Sequence, residues 1–239
     1  MDNYAGSRFF SPGYPEQRLP NFPTGGGCCK VSSVLVEDGS NIGDLLLLKA
    51  QGISPTGEWI FEDIDRNGVL DELRDKTVVG NGLPNWTLGW SNTFHFGNFQ
   101  MDLFFRGAFG HDLFNVTRKL TENPVVISAY NVLTTAFEGE SARLRDAPQA
   151  SSYYVENASF IRLDNAQLSY TFNTVPKLPF HSLQFYIAAN NVFTISGYRG
   201  WDPDFRLQYE NDVLSIGYEF QNLYLPTKSI TFGLKTNFK

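Results

Sequence analysis

The sequence predicts an all-β fold, an antiparallel transmembrane β-barrel segment with long extracellular loops, and three observations carry that expectation. Aromatic residues make up 15% of the chain and charged residues only 18%, with 21 Gly. This balance suits β-structure with aromatic-rich faces better than a helical bundle. Several stretches alternate apolar and polar residues with a period of two. Short turns also alternate with long connections, as they do in an outer-membrane barrel with short periplasmic turns and long outer loops.

The bulk properties narrow the choice. With 239 residues, a net charge of -6 and a pI near 5.1, and no dense Lys/Arg stretch interleaved with aromatics, the chain is a poor match for nucleic acid. The longest uninterrupted apolar tract is Leu45 to Leu48, which excludes a membrane-spanning helix and leaves a barrel as the one way to cross a bilayer. The two cysteines, Cys28 and Cys29, are neighbours; adjacent residues make a strained disulfide, and they read as incidental thiols. Met1 is followed by neither a basic region nor an apolar stretch, so no export signal is visible, which points to a fragment or a misplaced start.

Gly, Pro, Ser and Asn dominate from Met1 to about Val31 without either period. Residues 1–38 are therefore expected to be an irregular, loop-rich segment, and residues 39–239 to hold the barrel portion. Short ordered tracts are expected at Val31 to Val36 and Asp44 to Ile53. From Trp86 the pattern sharpens: Trp86, Leu88, Trp90, Phe94 and Phe96 alternate with Thr87, Gly89, Ser91, Thr93 and His95, and only Asn92 breaks the apolar face. After the turn signal Gly97-Asn98, Phe99, Met101, Leu103, Phe105, Gly107 and Phe109 alternate with Gln100, Asp102, Phe104, Arg106 and Ala108, which makes a hairpin. Asn165 to Phe172, Leu183 to Phe193 and Ser229 to Phe238 repeat the theme. Each is close to the roughly 9 to 11 residues that a tilted crossing needs. The loop stretch Ser128 to Glu138 has the spacing of a short amphipathic helix.

Candidate chemistry is sparse. Asp63, Asp65, Asn67 and Asp71, with Gly68 where a tight loop must turn, space oxygen ligands as a calcium loop does. Arg74 stands at the twelfth position, where a bidentate Glu belongs, and Asp75 comes one residue late; a structured extracellular turn is the plainer reading. His95, His111 and His181 are far apart in sequence and lack zinc-type spacing. No nucleophile elbow, zinc helix, Walker loop or dinucleotide fingerprint occurs, and the carboxylates Asp202 and Asp204 merely flank Pro203, so no enzymatic activity is expected. Trp201, Phe205 and Tyr209 are the candidate ligand-binding aromatics, able to stack on a sugar or pack against a partner, against the plainer reading of loop self-packing.

Several tracts resemble the C-terminal region of SusC/RagA-family TonB-dependent receptors. Gly80-Asn-Gly-Leu-Pro84 leads into an aromatic strand. Tyr154 to Asn165 is followed by Leu168-Ser-Tyr170. Asn190-Asn-Val-Phe-Thr-Ile195 runs into Tyr198-Arg-Gly-Trp-Asp-Pro-Asp204, and Leu225-Pro226 precedes Ser229 to Leu234. The resemblance covers about Gly39 to Lys239 and implies the last five or six strands of a plugged barrel of about 22 strands. It implies a bacterial outer-membrane receptor for a glycan or peptide, in contact with lipid and a SusD-like surface lipoprotein, and with the TonB complex only through a plug. No plug and no TonB motif is visible in the sequence, and Phe238 is followed by Lys239 where the family usually ends on an aromatic. The alternative is a soluble secreted β-sandwich, a calcium-stabilised carbohydrate-binding module, which rests on the Asp63 loop and the exposed aromatics.

Overall fold

The computed structural model describes residues 41–71, 74–129, 131–173, 180–204, 216–219 and 225–238. The expectations for residues 1–38, including the Val31 to Val36 tract and the cysteine pair, lie outside the described residues. Eleven strands occur among those described: β1 (Asp44–Leu48), β2 (Ala50–Ile53), β3 (Trp59–Phe61), β4 (Lys76–Asn81), β5 (Trp86–Phe96), β6 (Phe99–Phe109), β7 (Asp112–Phe114), β8 (Val155–Asn157), β9 (Phe160–Asn173), β10 (Phe180–Ser196) and β11 (Ser229–Phe238). One short helix, α1 (Val116–Thr121), joins them. The chain divides into two compact units, one of Asn85–Phe109, Ser159–Gly197 and Tyr224–Lys239, the other of the remaining segments.

The strand unit is a five-stranded antiparallel sheet in the order β11-β10-β9-β6-β5. The hairpin β5–β6 has the predicted register, with Trp90 opposite Phe105 and Phe94 opposite Met101. Carried across β9, β10 and β11, the pairing puts Met101, Leu168, Ile187 and Phe232 in one row and Gln100, Ser169 and Tyr186 in another. Every residue expected on the apolar face, from Trp86 to Leu234, therefore shares one face. Thr87, Ser91, Gln100, Arg106, Thr231 and Lys235 share the other. The β5–β6 turn lies at the end of the sheet where β9 finishes and β10 begins, the Thr171 N–H donating to the Asn98 carbonyl at 2.9 Å. The long connections β6–β9 and β10–β11 leave from the opposite end.

β9 and β10 run further than the alternation suggested, and a bulge interrupts the period where β9 was expected to begin. Between paired positions, β6 has no residue where β9 has Asp164 and β10 has Asn191 and Val192. Asn191 takes the left-handed conformation (φ 51) that this step requires, which Asn tolerates better than most residues. Past the bulge, Phe105, Leu163 and Phe193 return to the apolar face.

The second unit is built differently. β1 pairs with β4, β2 with β3 and β7 with β8, all antiparallel. β1 is buried at all five positions, as a continuous apolar run should be when it is covered on both sides. Leu45, Leu47, Phe114, Val116, Ala150, Tyr154 and Tyr218 form its core. The Phe114 N–H donates to the Gly217 carbonyl at 2.7 Å and the Glu219 N–H to the Phe114 carbonyl at 3.1 Å, tying two distant loops together. Gly82 and Gly217 sit back to back, and a Cβ on Gly82 would collide with the Gly217 backbone. The single helix expected over Ser128 to Glu138 is not formed. Two 3-10 turns, Pro124–Ser128 and Thr134–Phe137, stand there instead. Leu133 between them is extended, and its N–H bonds back to the Thr121 carbonyl at 2.8 Å, which turns the chain before a helix can start.

Candidate functional site

The loop from β3 to β4 gathers carboxylates. One oxygen each of Asp63, Asp65 and Asp75 lies within 4.8 Å of the others. Asp75 is fully buried and forms the hub: Oδ1 accepts from the Ile64 N–H at 2.9 Å and Oδ2 from the Asp71 N–H at 2.6 Å. The Asp71 N–H, followed by those of Ile64 and Asp65, holds the Asp75 carboxyl below the usual carboxylate range against the opposing effect of burial. Asp63 accepts from the Gly68 N–H through Oδ2, while its buried Oδ1 has no hydrogen-bond partner.

Of the four residues that the spacing proposed, two lie in this group. Asn67 instead turns its oxygen onto the Val69 N–H at 2.7 Å and its amide onto Asp65 at 2.8 Å. Asp71 contributes its backbone, whose carbonyl accepts from Arg74 and Asp75, and its side chain stands 4.0 Å from Arg74. The third carboxylate is Asp75, the residue that counting along an EF-hand placed one position too late. Three carboxylates, one of them with an orphaned oxygen, fit a hard cation in donor chemistry.

The second candidate surrounds Trp201, which is exposed. Phe205 and Tyr209, its proposed companions, lie outside the described residues. The Trp201 indole N–H donates to Oγ1 of Thr117 at 3.0 Å and its main-chain N–H to Oε1 of Glu219 at 2.8 Å. Glu219 is buried, and its Oε2 accepts from the Tyr198 hydroxyl at 2.9 Å. Burial raises the Glu219 carboxyl although the N–H of Trp201, the Tyr198 hydroxyl and the N–H of Thr117 all favour the charged form. The same burial pushes the Tyr198 phenol well above its ordinary range.

An ion network braces the same unit. Arg118, buried, pairs with Glu122 and with Glu156 at 3.0 Å, and its guanidinium lies 4.6 Å from the Tyr153 ring centre. Arg199 reaches the same Glu156 at 3.1 Å. The network was not legible in the sequence, because Arg118 and Arg199 meet Glu156 across 38 and 43 positions and only Arg118 with Glu122 is a local pair. His111 is buried with Nε2 3.0 Å from the Pro203 carbonyl, whereas His95 and His181 are exposed on the sheet. Asp204 donates its N–H to Asp202 at 2.9 Å, a local turn in place of a facing acid–base pair.

No family model matches the chain. It is 30% identical over 214 residues to TonB-dependent receptor P39 of Formosa agariphila, covering 82% of this chain and 20% of that receptor. It is 26% identical over 198 residues to TonB-dependent receptor P3 of the same organism (78% and 20%), and 26% identical over 156 residues to TonB-dependent receptor SusC of Bacteroides thetaiotaomicron (62% and 15%). Among solved structures, it resembles one in the RagAB peptide importer in its open-open state, with a TM-score of 0.69 at 21% identity over 96% of this chain and 25% of that one. The closed-closed state gives 0.65 at 22% identity, over 94% and 25%. The chain thus spans about a fifth of the length of the curated relatives it matches.

Proposed function

The chain is a SusC/RagA-like stretch of a TonB-dependent receptor, and on that premise we propose that it forms part of the barrel wall and outer loops of a nutrient importer in the bacterial outer membrane. One observation carries the reading: a five-stranded sheet, each strand 10 to 17 residues long, with one face that is apolar at nearly every position and exposed. Trp86 is 75% and Phe232 78% exposed on that face, which is intolerable in water over so wide an area and correct in lipid. A soluble calcium-stabilised sandwich would cover the face with a second sheet, so that alternative loses its support.

The cargo is a glycan or a peptide, and the receptor acts as a transporter, not a catalyst. A SusD-like surface lipoprotein hands over the cargo at the outer loops, and energy arrives from the TonB complex through a plug domain. Trp201 is the cargo-facing aromatic of the outer loops. The Asp63, Asp65 and Asp75 group takes calcium weakly, if it meets the ion at millimolar concentration.

The test is uptake of fluorescent oligosaccharides and peptides by whole cells carrying the complete receptor and its lipoprotein. Deleting the receptor gene should abolish uptake of one cargo class, and restoring it should recover uptake. Undiminished uptake of both classes in the deletion strain would refute the assignment.

A further inference from the structure

Trp201 is 60% exposed, yet each residue from Tyr198 to Trp201 is held by a contact. The Tyr198 ring is 8% exposed and its hydroxyl is bound by Glu219. The Arg199 N–H donates to Oε2 of Glu156 at 2.9 Å while its guanidinium meets the other oxygen. Gly200 lies against the Tyr198 ring, where any Cβ would collide. Trp201 is then held by both of its N–H groups, on Glu219 and Thr117. Glu219 is only 2% exposed, and its segment is anchored to Phe114 by two backbone hydrogen bonds.

A surface indole with so much apolar area costs free energy in water, and so does freezing the loop beneath it. Both costs are already met before any ligand arrives, which is the signature of a preorganised contact.

We propose that Glu219 is the positioning residue of a stacking site in which Trp201 offers its indole face to the C–H face of a sugar ring. The proposal deepens the reading of Trp201 as cargo-facing and rests on it. A sugar suits the geometry because the exposed indole offers an apolar face and a polar edge, where its N–H meets the Thr117 hydroxyl. A pyranose is apolar on its face and hydroxylated at its edge, so it meets both kinds of surface at once.

The test uses the complete receptor labelled with 5-fluorotryptophan, the Trp201 resonance being assigned by its loss in W201F. Maltoheptaose, a xylo-oligosaccharide, an alginate oligomer and a set of short peptides serve as probes. The expected result is that at least one oligosaccharide shifts the resonance and that W201A weakens its binding about tenfold, the equivalent of about 1.4 kcal/mol. E219A should move the resonance of the free protein and weaken the same oligosaccharide to a similar extent. Rescue by E219Q, whose amide oxygen still accepts from the Trp201 N–H, separates positioning from general loss of fold. An unmoved resonance in E219A would overturn the role of Glu219. Peptides shifting the resonance while no oligosaccharide does would overturn the sugar assignment and leave the cargo reading standing. Oligosaccharide and peptide binding both indifferent to W201A would remove the cargo reading itself.

Discussion

In the loop-built unit Leu45, Leu47, Phe114 and Tyr154 are completely buried, whereas in the sheet Trp86, Phe96, Ile230 and Phe232 stand between 66% and 78% exposed. The two regions draw on the same residue types and point them in opposite directions. The first spends its apolar side chains on a core that excludes water. The sheet spends them on an outer face, which is stable only where the surroundings are themselves apolar. Its polar face holds the satisfied contacts instead: Arg106 with Asp164 at 2.6 Å, Asn165 with Asn190 at 2.9 Å, and Thr93 with Asp102 at 2.7 Å.

The most severe way to break this contrast is to ask the sheet to stand alone. Five strands leave β5 and β11 as open edges, and in lipid each unpaired edge N–H or C=O costs several kcal/mol because no water can satisfy it. Met1 to Lys239 expressed with an added signal peptide should give neither a heat-modifiable band on gels nor uptake by cells, and its apolar face should drive aggregation without detergent. A folded, heat-modifiable monomer that restores uptake without any other barrel chain would contradict this.

Within the complete receptor the contrast should appear as unequal mutational costs. Phe114→Ala opens the loop-unit core and should destabilise it by about 3 to 5 kcal/mol, read as a lower thermal midpoint of that unit. Phe232→Arg puts a charge on the lipid face and should cost about 2 to 4 kcal/mol if it lies near the midplane. Thr231→Arg, on the opposite face of the same strand, should cost close to nothing. Equal tolerance of Arg at 231 and 232, measured by chemical denaturation in liposomes, would remove the distinction between the faces.

The sheet was legible in the sequence and the loop unit was not, for a physical reason. β5 and β6 match the expected Trp86 to Phe96 and Phe99 to Phe109, because a strand with one apolar face writes its period of two directly into neighbouring residues. β9 exceeded its expected span chiefly beyond Asp164, which breaks that period, while β10 runs three residues past its expected span at each end. The core of the loop unit joins Leu45 to Phe114, Tyr154 and Tyr218, positions whose pairing no local period records. The Ser128 to Glu138 helix failed for the related reason that a long-range bond, Leu133 to Thr121, decided the local structure. Of the candidate sites, the sequence supplied Asp63, Asp65 and Trp201. It did not supply Asp75 or Glu219, whose roles depend on burial.

Those two buried carboxyls sharpen the comparison inside the loop unit, since they are displaced in opposite directions. The Asp75 carboxyl lies below its ordinary range, so it contributes stability above about pH 4 that is lost as pH falls through its folded value. Glu219 lies above its ordinary range, so its contribution is present in acid and is lost as pH rises through its folded value. Hydrogen-exchange protection, corrected for intrinsic rates, should fall at Ile64 and Asp71 on acidification while that of Trp201 is kept or improved. Parallel loss at both places would mean that the unit unfolds as a whole.

The smallest expected effect concerns calcium. Asp63, Asp65 and Asp75 bring three carboxylates together, but Asp75 already spends both oxygens on three backbone N–H groups, those of Ile64, Asp65 and Asp71. Asn67, the natural fourth ligand, is occupied with Val69 and Asp65, and Arg74 occupies the position where a bidentate Glu would complete the shell. A cation must therefore compete with hydrogen bonds the loop makes without it, and few ligands remain to replace its water. Affinity should fall in the weak class of extracellular modules, about 10⁻⁴ to 10⁻³ M. Calorimetry on the complete receptor should register little heat at micromolar calcium, and Asp63→Asn should leave the thermal midpoint in calcium-free buffer nearly unchanged. Sub-micromolar binding abolished by that substitution would show that the loop rearranges around the ion, with Asp71 or Asn67 turned inward as the spacing first suggested.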